Sequence, residues 1–193
     1  MDLYQLIHDK NYFIVTTNQD TQFSQAFPEE KVSTIQGDWR YFQCSRSCHD
    51  QIYPAMEQAE KMYQAIEDCR IPSELIPKCP RCGRDMEPWV RSYVFLEGAK
   101  YKEEYDKWNQ FLMLNKDKKI LFLELGVGRM TPMFIQEPFW SMTYSLPKAY
   151  YITINPKDAI VPRELAEKGT AIHEDIAVVL REAAKMMGNG SSV

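Results

Sequence analysis

The fold is decided by the stretch Ile120-Leu121-Phe122-Leu123-Glu124-Leu125-Gly126-Val127-Gly128. Its first six residues form a nearly continuous apolar run, which is typical of a parallel strand buried on both faces. The run breaks at two closely spaced glycines, and glycines at that point let the loop backbone approach a ligand. The stretch therefore predicts a parallel strand whose carboxyl end faces a ligand.

Strand-like and helix-like patterns alternate on either side of this stretch. The predicted strands cover residues 12–17, 31–35, 120–125, 150–154 and 170–172, and the predicted helices cover residues 53–66, 100–114 and 175–187. Short apolar runs mark the strands, whereas apolar residues at helical spacing mark the helices. Because such alternation is typical of α/β proteins, we predict a Rossmann-like, mostly parallel sheet.

The chain has five cysteines, and an odd number disfavours a framework of disulfides. Four of them form two close pairs, Cys44 with Cys48 and Cys79 with Cys82. Two such pairs of thiolates can close a tetrahedron around Zn²⁺, which would leave no open coordination position for hydrolysis. We therefore predict a structural zinc site with these four ligands. The fifth cysteine, Cys69, is expected to be an ordinary thiol.

The cysteine pairs also predict how the chain is divided. We place a small zinc-binding module at residues 44–88, inserted into a Rossmann-like domain formed by residues 1–43 and 89–193. His49 lies inside this module, but it directly follows Cys48 and is therefore expected to be a poorly placed ligand.

Composition narrows the classes of function. The 193 residues carry a formal net charge of −4 at pH 7, which disfavours a surface that tracks nucleic-acid phosphates. No apolar run approaches the roughly 18 residues that a membrane-spanning helix needs. We therefore predict a soluble, cytoplasmic protein with no nucleic-acid or membrane partner.

Polar residues and glycines follow three of the predicted strands. These segments are Thr16 to Asp20, Gly126 to Pro132, and the Ile154-Asn155 step. In an open α/β sheet the ligand lies beyond the carboxyl ends of the strands, so the three segments together predict a nucleotide site. Each segment also has a purely structural interpretation, because glycines form turns and asparagines cap loops.

The order of these segments around a four-cysteine module resembles the sirtuin family of NAD-dependent deacylases and ADP-ribosyltransferases. The similar strings are Thr-Thr-Asn-x-Asp-x-Gln-Phe at Thr16 to Phe23, Gln-Gly-Asp at Gln36 to Asp38, and Gly-Val-Gly-x-x-Thr-Pro at Gly126 to Pro132. They are most similar to the macrodomain-linked class M sirtuins, and the resemblance runs from about Tyr12 to Leu180. It implies NAD as the cosubstrate and Zn²⁺ as a structural metal.

The resemblance also assigns residues to a site. It implies that NAD is bound by Thr17, Asn18, Asp20, Gly126, Gly128, Thr131, Asn155 and Ile172, and that Asn18, Asp20, Gln36 and Arg91 are catalytic. Asn18 and Asp20 would orient the nicotinamide ribose. Arg91 would hold the acceptor or stabilise charge, although it could equally be a solvated cation or an ion-pair partner of Asp85 or Glu87.

Gln36 stands where sirtuins usually carry a catalytic histidine. A neutral amide can form a hydrogen bond with a ribose hydroxyl, but it cannot take the hydroxyl proton. A deacylation cycle that needs a base at this position is therefore disfavoured, although Gln36 could also be a simple polar residue at the end of a strand.

The resemblance implies a protein ADP-ribosyltransferase that releases nicotinamide and transfers ADP-ribose to a protein acceptor. In class M sirtuins this acceptor is a lipoylated carrier of the glycine-cleavage H type, and a macrodomain protein is a further partner. The alternatives are an NAD-dependent protein deacylase and a catalytically silent zinc-containing binding protein with the same fold. A separate zinc-ribbon module would explain the cysteines but not Asn18, Gln36 and Asn155.

Sirtuins begin with a strand and a Gly-Ala-Gly-x-Ser loop, and no such segment precedes Tyr12. The resemblance therefore implies a fold that is N-terminally truncated relative to the family. Because the backbone amides of that loop hold the pyrophosphate, we expect this chain alone to bind NAD weakly or not at all, with little release of nicotinamide.

Overall fold

The computed structural model describes residues 2–189, and these residues form two compact units. One unit joins the stretch that ends at Ile14 to the stretch that begins at Asn109, and the other unit is Val15–Trp108. The boundaries of the predicted zinc module, at residues 44 and 88, fall inside strands of the second unit. The predicted division into domains stays a prediction, and residues 190–193 of its second segment lie outside the described residues.

Helices and strands alternate along the chain. The helices are α1 (Asp2–Ile7), α2 (Gln22–Ala26), α3 (Met56–Gln64), α4 (Ala99–Asn115), α5 (Gln136–Ser145) and α6 (Ile176–Asn189). The strands are β1 (Ile14–Thr16), β2 (Val32–Thr34), β3 (Gly37–Cys44), β4 (Tyr53–Pro54), β5 (Met86–Val90), β6 (Ile120–Leu125), β7 (Ala149–Ile154) and β8 (Gly169–Ile172). The predicted α/β class is confirmed.

The first unit contains a parallel sheet in the order β6-β7-β8. Leu125, Ile154 and Ile172 stand side by side at its carboxyl edge, because the register pairs the last residue of each strand with the last residue of its neighbour. Phe122, Ala149 and Tyr151 are buried at the centre of this sheet, and Phe139 and Trp140 of α5 pack against them. The sheet therefore presents three adjacent strand ends on a rigid base.

Helix α5 was not among the predicted helices, and it contains a proline, Pro138, in its first turn. The proline is the third residue of the helix, where its missing N–H would have no partner within the helix in any case. The aromatic residues after it then continue as a helix and cover the sheet.

The second unit contains an antiparallel sheet in the order β4-β3-β5 and a two-stranded pair of β1 with β2. The parallel pairing expected for most of the sheet is thus found in the first unit, whereas β3 pairs with antiparallel neighbours. Strand β3 begins at Gly37, within the Gln36-Gly37-Asp38 segment, because Gly37 and Asp38 pair with Val90 and Trp89 of β5.

Two further expectations concern surfaces. Helix α3 has apolar residues at helical spacing, of which Met56 is 62% exposed and Tyr63 is 72% exposed, whereas Ala59 and Met62 are half-buried, so its apolar face is only partly covered. Among residues 2–189, every helix falls short of the length and apolarity needed to cross a bilayer. The cytoplasmic location stays a prediction.

Candidate functional site

Four cysteine thiols converge in the second unit. Cys44 ends β3, Cys48 follows in the next loop, and Cys79 and Cys82 lie in the turn before β5. All four sulfur atoms lie within 4.8 Å of one another, with 3.5 Å between the Sγ atoms of Cys44 and Cys82 and 3.7 Å between those of Cys48 and Cys79. Four Zn–S bonds of about 2.3 Å give tetrahedral sulfur–sulfur edges of about 3.8 Å. The predicted ligand set therefore fits a zinc ion.

The turns that carry the cysteines need special backbone angles. Ser47 has φ 45° and Gly83 has φ 72°, both in the left-handed region. The N–H of Ser47 donates to the carbonyl of Cys44 at 2.8 Å, and the N–H of Gly83 donates to that of Cys79 at 2.9 Å. The first turn thus lies between Cys44 and Cys48, and the second contains both Cys79 and Cys82, so each turn brings the two sulfur atoms of its pair together.

The electrostatics of the cluster differ from thiol to thiol. Backbone N–H groups, first that of Cys48 and then that of Arg46, lower the pKa of the Cys44 thiol to about 6. Desolvation raises the pKa of the Cys48 thiol to about 12. Because metal ligands must be thiolates, a bound cation would displace the protons that the thiols still carry.

His49 lies beside the four sulfur atoms. Its Nδ1 is 3.1 Å from the Sγ of Cys48, and its Nε2 is 2.7 Å from the Tyr53 hydroxyl. His49 is not a member of the four-sulfur cluster, so its ring is placed to support Cys48 by hydrogen bonding. Cys69 is exposed and also lies outside the cluster.

Three candidate segments of the second unit meet at Gln36. Its backbone carbonyl accepts a hydrogen bond from Nε2 of Gln19 at 3.1 Å and another from the backbone N–H of Arg91 at 2.9 Å. The N–H of Ile35 donates to the carbonyl of Thr16 at 3.2 Å, which joins the end of β1 to the same turn. The structure therefore brings together the segment of Asn18, Gln36 and the start of the Arg91 loop.

The side chain of Gln36 has an unusual environment. It is only 8% exposed, and no described residue accepts a hydrogen bond from its Nε2. The next residue, Gly37, has φ 90°, and a Cβ there would lie 2.1 Å from the carbonyl oxygen of Trp89. The backbone is thus tightly fixed while the buried amide keeps an unused donor. Such donors are rare in native proteins and mark places where another group completes the bonding.

Asn18 and Asp20 are exposed in the loop after β1. The N–H of Asn18 donates to Oγ1 of Thr16 at 3.0 Å, and Oδ1 of Asp20 accepts from the N–H of Gln22 at 3.2 Å. Thr17, directly before Asn18, is half-buried. The loop is therefore shaped by local bonds that leave the Asn18 side chain at the surface.

Arg91 directly follows β5, and its partner differs from those suggested by the sequence. The guanidinium forms an ion pair with Glu97, donates to the Tyr101 hydroxyl at 3.3 Å, and lies 4.3 Å from the centre of the Phe95 ring. Asp85 pairs with Lys78 instead. Glu87 accepts from Nε2 of Gln43 at 2.9 Å. The structure thus gives Arg91 an ion pair with Glu97, a residue that the sequence alternatives, Asp85 and Glu87, did not include.

The remaining candidates gather at the carboxyl edge of the parallel sheet. The N–H of Gly126 donates to the carbonyl of Ile154 at 3.0 Å, and the N–H of Asn155 donates to that of Ile172 at 3.1 Å. Gly126 has φ 69°, a conformation that favours glycine. Gly128 lies next in the same loop, and a Cβ there would meet no atom within 4 Å. Thr131 precedes the short 3₁₀ turn Pro132–Phe134.

The Asn155 side chain is used within its own loop. Its Oδ1 accepts from the N–H groups of Lys157 and Asp158, both at 3.0 Å, and its Nδ2 donates to the carbonyl of Val127 at 3.1 Å. Asn155 therefore caps its loop, as the structural interpretation of this residue predicts. They also tie the glycine loop to the loop after β7.

The candidate residues divide between the two units. Thr17, Asn18, Asp20, Gln36 and Arg91 belong to the second unit, and Gly126, Gly128, Thr131, Asn155 and Ile172 belong to the first. Each set is close together within its own unit. That both sets line a single cleft stays a prediction.

Sequence reasoning missed Glu124, the one charged residue of the apolar run in β6. It is 1% exposed and accepts three hydrogen bonds, from the Tyr151 hydroxyl at 2.7 Å, Oγ1 of Thr153 at 2.9 Å and Nε2 of Gln136 at 3.0 Å. Burial, and then the contact with Glu124, raise the pKa of Tyr151 above its usual range. The available signal was a carboxylate at an inward strand position.

Comparison with known proteins identifies relatives of the whole chain. No family model matches it. It is 36% identical over 186 residues to a protein ADP-ribosyltransferase of Staphylococcus aureus, covering 95% of this chain and 59% of the relative. It is 32% identical over 180 residues to a probable bifunctional ADP-ribose hydrolase/ADP-ribosyltransferase of Fusarium oxysporum, covering 85% of this chain and 29% of that protein. The chain thus spans less than two thirds of these relatives.

Solved structures show the same fold. A mutant Sir2 homologue in complex with ADP-ribose matches with a TM-score of 0.59 at 16% identity, covering 100% of this chain and 66% of that one. A structure solved in a study of the mechanism and regulation of Sir2 enzymes matches with a TM-score of 0.55 at 16% identity, covering 90% of this chain and 60% of that one. The Sir2-like fold, the clustered cysteines and the 36% identity to a curated protein ADP-ribosyltransferase together support the assignment of the chain to the sirtuin family.

Proposed function

We propose that this chain carries the residues of a sirtuin-type, NAD-dependent protein ADP-ribosyltransferase. In the reaction the bond between the nicotinamide nitrogen and the ribose carbon breaks, nicotinamide leaves, and a nucleophile of the acceptor protein bonds to that carbon and loses its proton. The names of the two curated relatives, a transferase and a probable hydrolase/transferase, support this reaction class.

The observation that carries the proposal is the buried amide of Gln36. Its Nε2 has no acceptor among the described residues, although the side chain is only 8% exposed. A ribose hydroxyl is an acceptor that this N–H₂ group can serve. Because an amide cannot remove a proton, Gln36 can orient the sugar but cannot act as the base of a deacylation cycle.

The other residues of the second unit fit supporting roles. Asn18 exposes its side chain beside the Gln36 turn and would orient the nicotinamide ribose, with Asp20 in the same loop. Arg91 leaves β5 next to Gln36 and carries a fixed positive charge, with which it would hold the acceptor or stabilise charge. The strand ends of the first unit would hold the rest of NAD, with Thr17 contributing from the second.

Zinc and the partners complete the proposal. The four cysteines would hold one Zn²⁺ with a closed shell of thiolates, so the metal organises the module and takes no part in the transfer. The acceptor would be a lipoylated carrier of the glycine-cleavage H type. The fused hydrolase activity in the name of the fungal relative suits a macrodomain protein as a further partner.

Release of nicotinamide at saturating NAD tests the proposal, with a lipoylated H-type carrier as acceptor and with a sirtuin-type strand and Gly-Ala-Gly-x-Ser loop added at the N-terminus. We expect little release by the unextended chain, release by the extended wild type, and at least a hundredfold less by Asn18→Ala and Gln36→Ala in the extended chain. Asn109→Ala and Gln64→Ala, at exposed positions of α4 and α3, are matched controls that should keep the rate of the extended wild type. Equal rates in all five extended proteins would overturn the site, and no release by the extended wild type would favour a silent binding protein.

A further inference from the structure

Helix α4 begins without a capping side chain of its own. The residue before it is Gly98, and the N–H of Ala99 needs an acceptor from elsewhere in the unit. Asp50 supplies that acceptor, because its Oδ1 and Oδ2 atoms lie 2.9 Å and 3.0 Å from the N of Ala99. Asp50 is only two residues after Cys48, so a loop that carries a metal ligand also caps a distant helix.

Gly98 is fitted to this arrangement. A Cβ on Gly98 would lie 1.8 Å from Oδ1 of Asp50, so the carboxylate occupies the space that any other side chain would need. The negative charge of Asp50 also faces the positive end of the helix dipole. The contact between the two segments is therefore specific.

Two more residues near the cysteines hold the loop that leads into α4. Oγ of Ser47 donates to the carbonyl of Val94 at 2.7 Å, and Nε2 of Gln43 donates to the same carbonyl at 2.8 Å. Oε1 of Gln43 accepts from the N–H of Leu96 at 2.8 Å. Gln43 precedes Cys44, and Ser47 precedes Cys48. Both cysteine positions of the first pair are thus tied to the loop.

The loop that these bonds hold contains the partners of Arg91. Glu97 forms the ion pair with its guanidinium, Phe95 lies under it, and Tyr101 in the first turn of α4 accepts from it. A change in where α4 begins would therefore move two of the three groups that orient Arg91.

We propose that Asp50 and Ser47 are positioning residues that couple the metal state of the four-cysteine site to the orientation of Arg91. With zinc bound, the loop from Cys44 to Cys48 is fixed, Asp50 caps α4 and Ser47 holds Val94. Without zinc the cap is released and the loop of Glu97 loses its anchor. The coupling rests on the proposed function only for the catalytic role of Arg91.

Hydrogen exchange of the full chain tests the coupling without an activity assay. In zinc-loaded Asp50→Ala, amides at residues 99–102 should exchange about fivefold faster than in the wild type, which corresponds to a cap worth about 1 kcal/mol. Asp50→Asn should restore slow exchange, because its amide oxygen accepts the same bond. Glu57→Ala, an exposed carboxylate in the same region, should exchange as the wild type.

Removal of zinc completes the test. Chelation should raise the amide exchange rates at residues 99–102 of the wild type by the same factor. In Asp50→Ala, where these rates are already high, chelation should raise them little further. Unchanged exchange there in zinc-loaded Asp50→Ala, or in the chelated wild type, would overturn the coupling. If exchange responds as expected while the N-terminally extended wild type releases no nicotinamide, the coupling stands and the proposed function falls.

Discussion

Two buried glutamines in the second unit should respond in opposite ways to the loss of their amide groups. Gln36 is 8% exposed with an unused Nε2, whereas Gln43 is fully buried and makes three hydrogen bonds, with Glu87, Val94 and Leu96. Replacing each by methionine keeps the length of the side chain and removes its polar atoms. The pair therefore separates an amide kept for a ligand from an amide kept for the fold.

The expected magnitudes follow from these bonds. An unpaired buried amide costs about 1 to 3 kcal/mol, so Gln36→Met should raise the free energy of unfolding by about 1 kcal/mol. Gln43→Met loses three bonds and leaves the N–H of Leu96 without its acceptor, which should lower that free energy by about 3 kcal/mol. With a urea m value of about 2 kcal/mol/M, the midpoints should shift by about +0.5 M and −1.5 M.

Urea denaturation of ligand-free wild type and both variants measures these shifts, and release of nicotinamide by their N-terminally extended forms measures the function. Gln36→Met should be more stable than the wild type and inactive, because a residue that serves catalysis often lowers the stability of the fold. Loss of more than about 1 kcal/mol of stability in Gln36→Met would show that its amide is paired in the folded protein. Nε2 of Gln36 would then not be free to donate a hydrogen bond to a ligand.

Three further predictions concern the metal site and the parallel sheet. Wild type and Cys69→Ser should retain zinc on gel filtration, whereas Cys82→Ser should lose it; equal metal content in both variants would remove the four-thiolate assignment. Because the pKa of Cys48 is raised to about 12, zinc binding at pH 7 should release protons and its affinity should rise with pH. Calorimetry in buffers of different ionisation enthalpy detects this release, and a buffer-independent heat would contradict it. Glu124→Leu should lower the thermal midpoint by several degrees more than Glu124→Gln, which keeps an acceptor for the three donors; equal midpoints would argue that the donors find other partners.

The elements that the sequence predicts well depend on local patterns. Strand β6 matches residues 120–125 because its apolar run is continuous and ends at a glycine. The cysteine cluster follows from spacing alone, since four thiols in two close pairs have few other uses. The family resemblance supplied Gln36, because its motif places a glutamine where a histidine is usual.

The features that the sequence does not predict depend on contacts between distant residues. Asp50 and Gly98 are an ordinary loop carboxylate and an ordinary turn glycine until the fold places one in the space beside the other. The partner of Arg91 is missed for the same reason, because a turn of the chain brings Glu97 to it. Nothing local distinguishes Gln43 from Gln36, although one is fully bonded and the other is not.

Mass spectrometry of the reaction products distinguishes ADP-ribosyl transfer from deacylation. The chain, extended at its N-terminus by a sirtuin-type strand and Gly-Ala-Gly-x-Ser loop, is incubated with saturating NAD and either a lipoylated H-type carrier or an acetyl-lysine peptide. We predict that the carrier gains ADP-ribose in step with the release of nicotinamide and that the peptide keeps its acetyl group, because Gln36 cannot serve as a base. Deacetylation of the peptide, with no ADP-ribose on the carrier, would contradict the account.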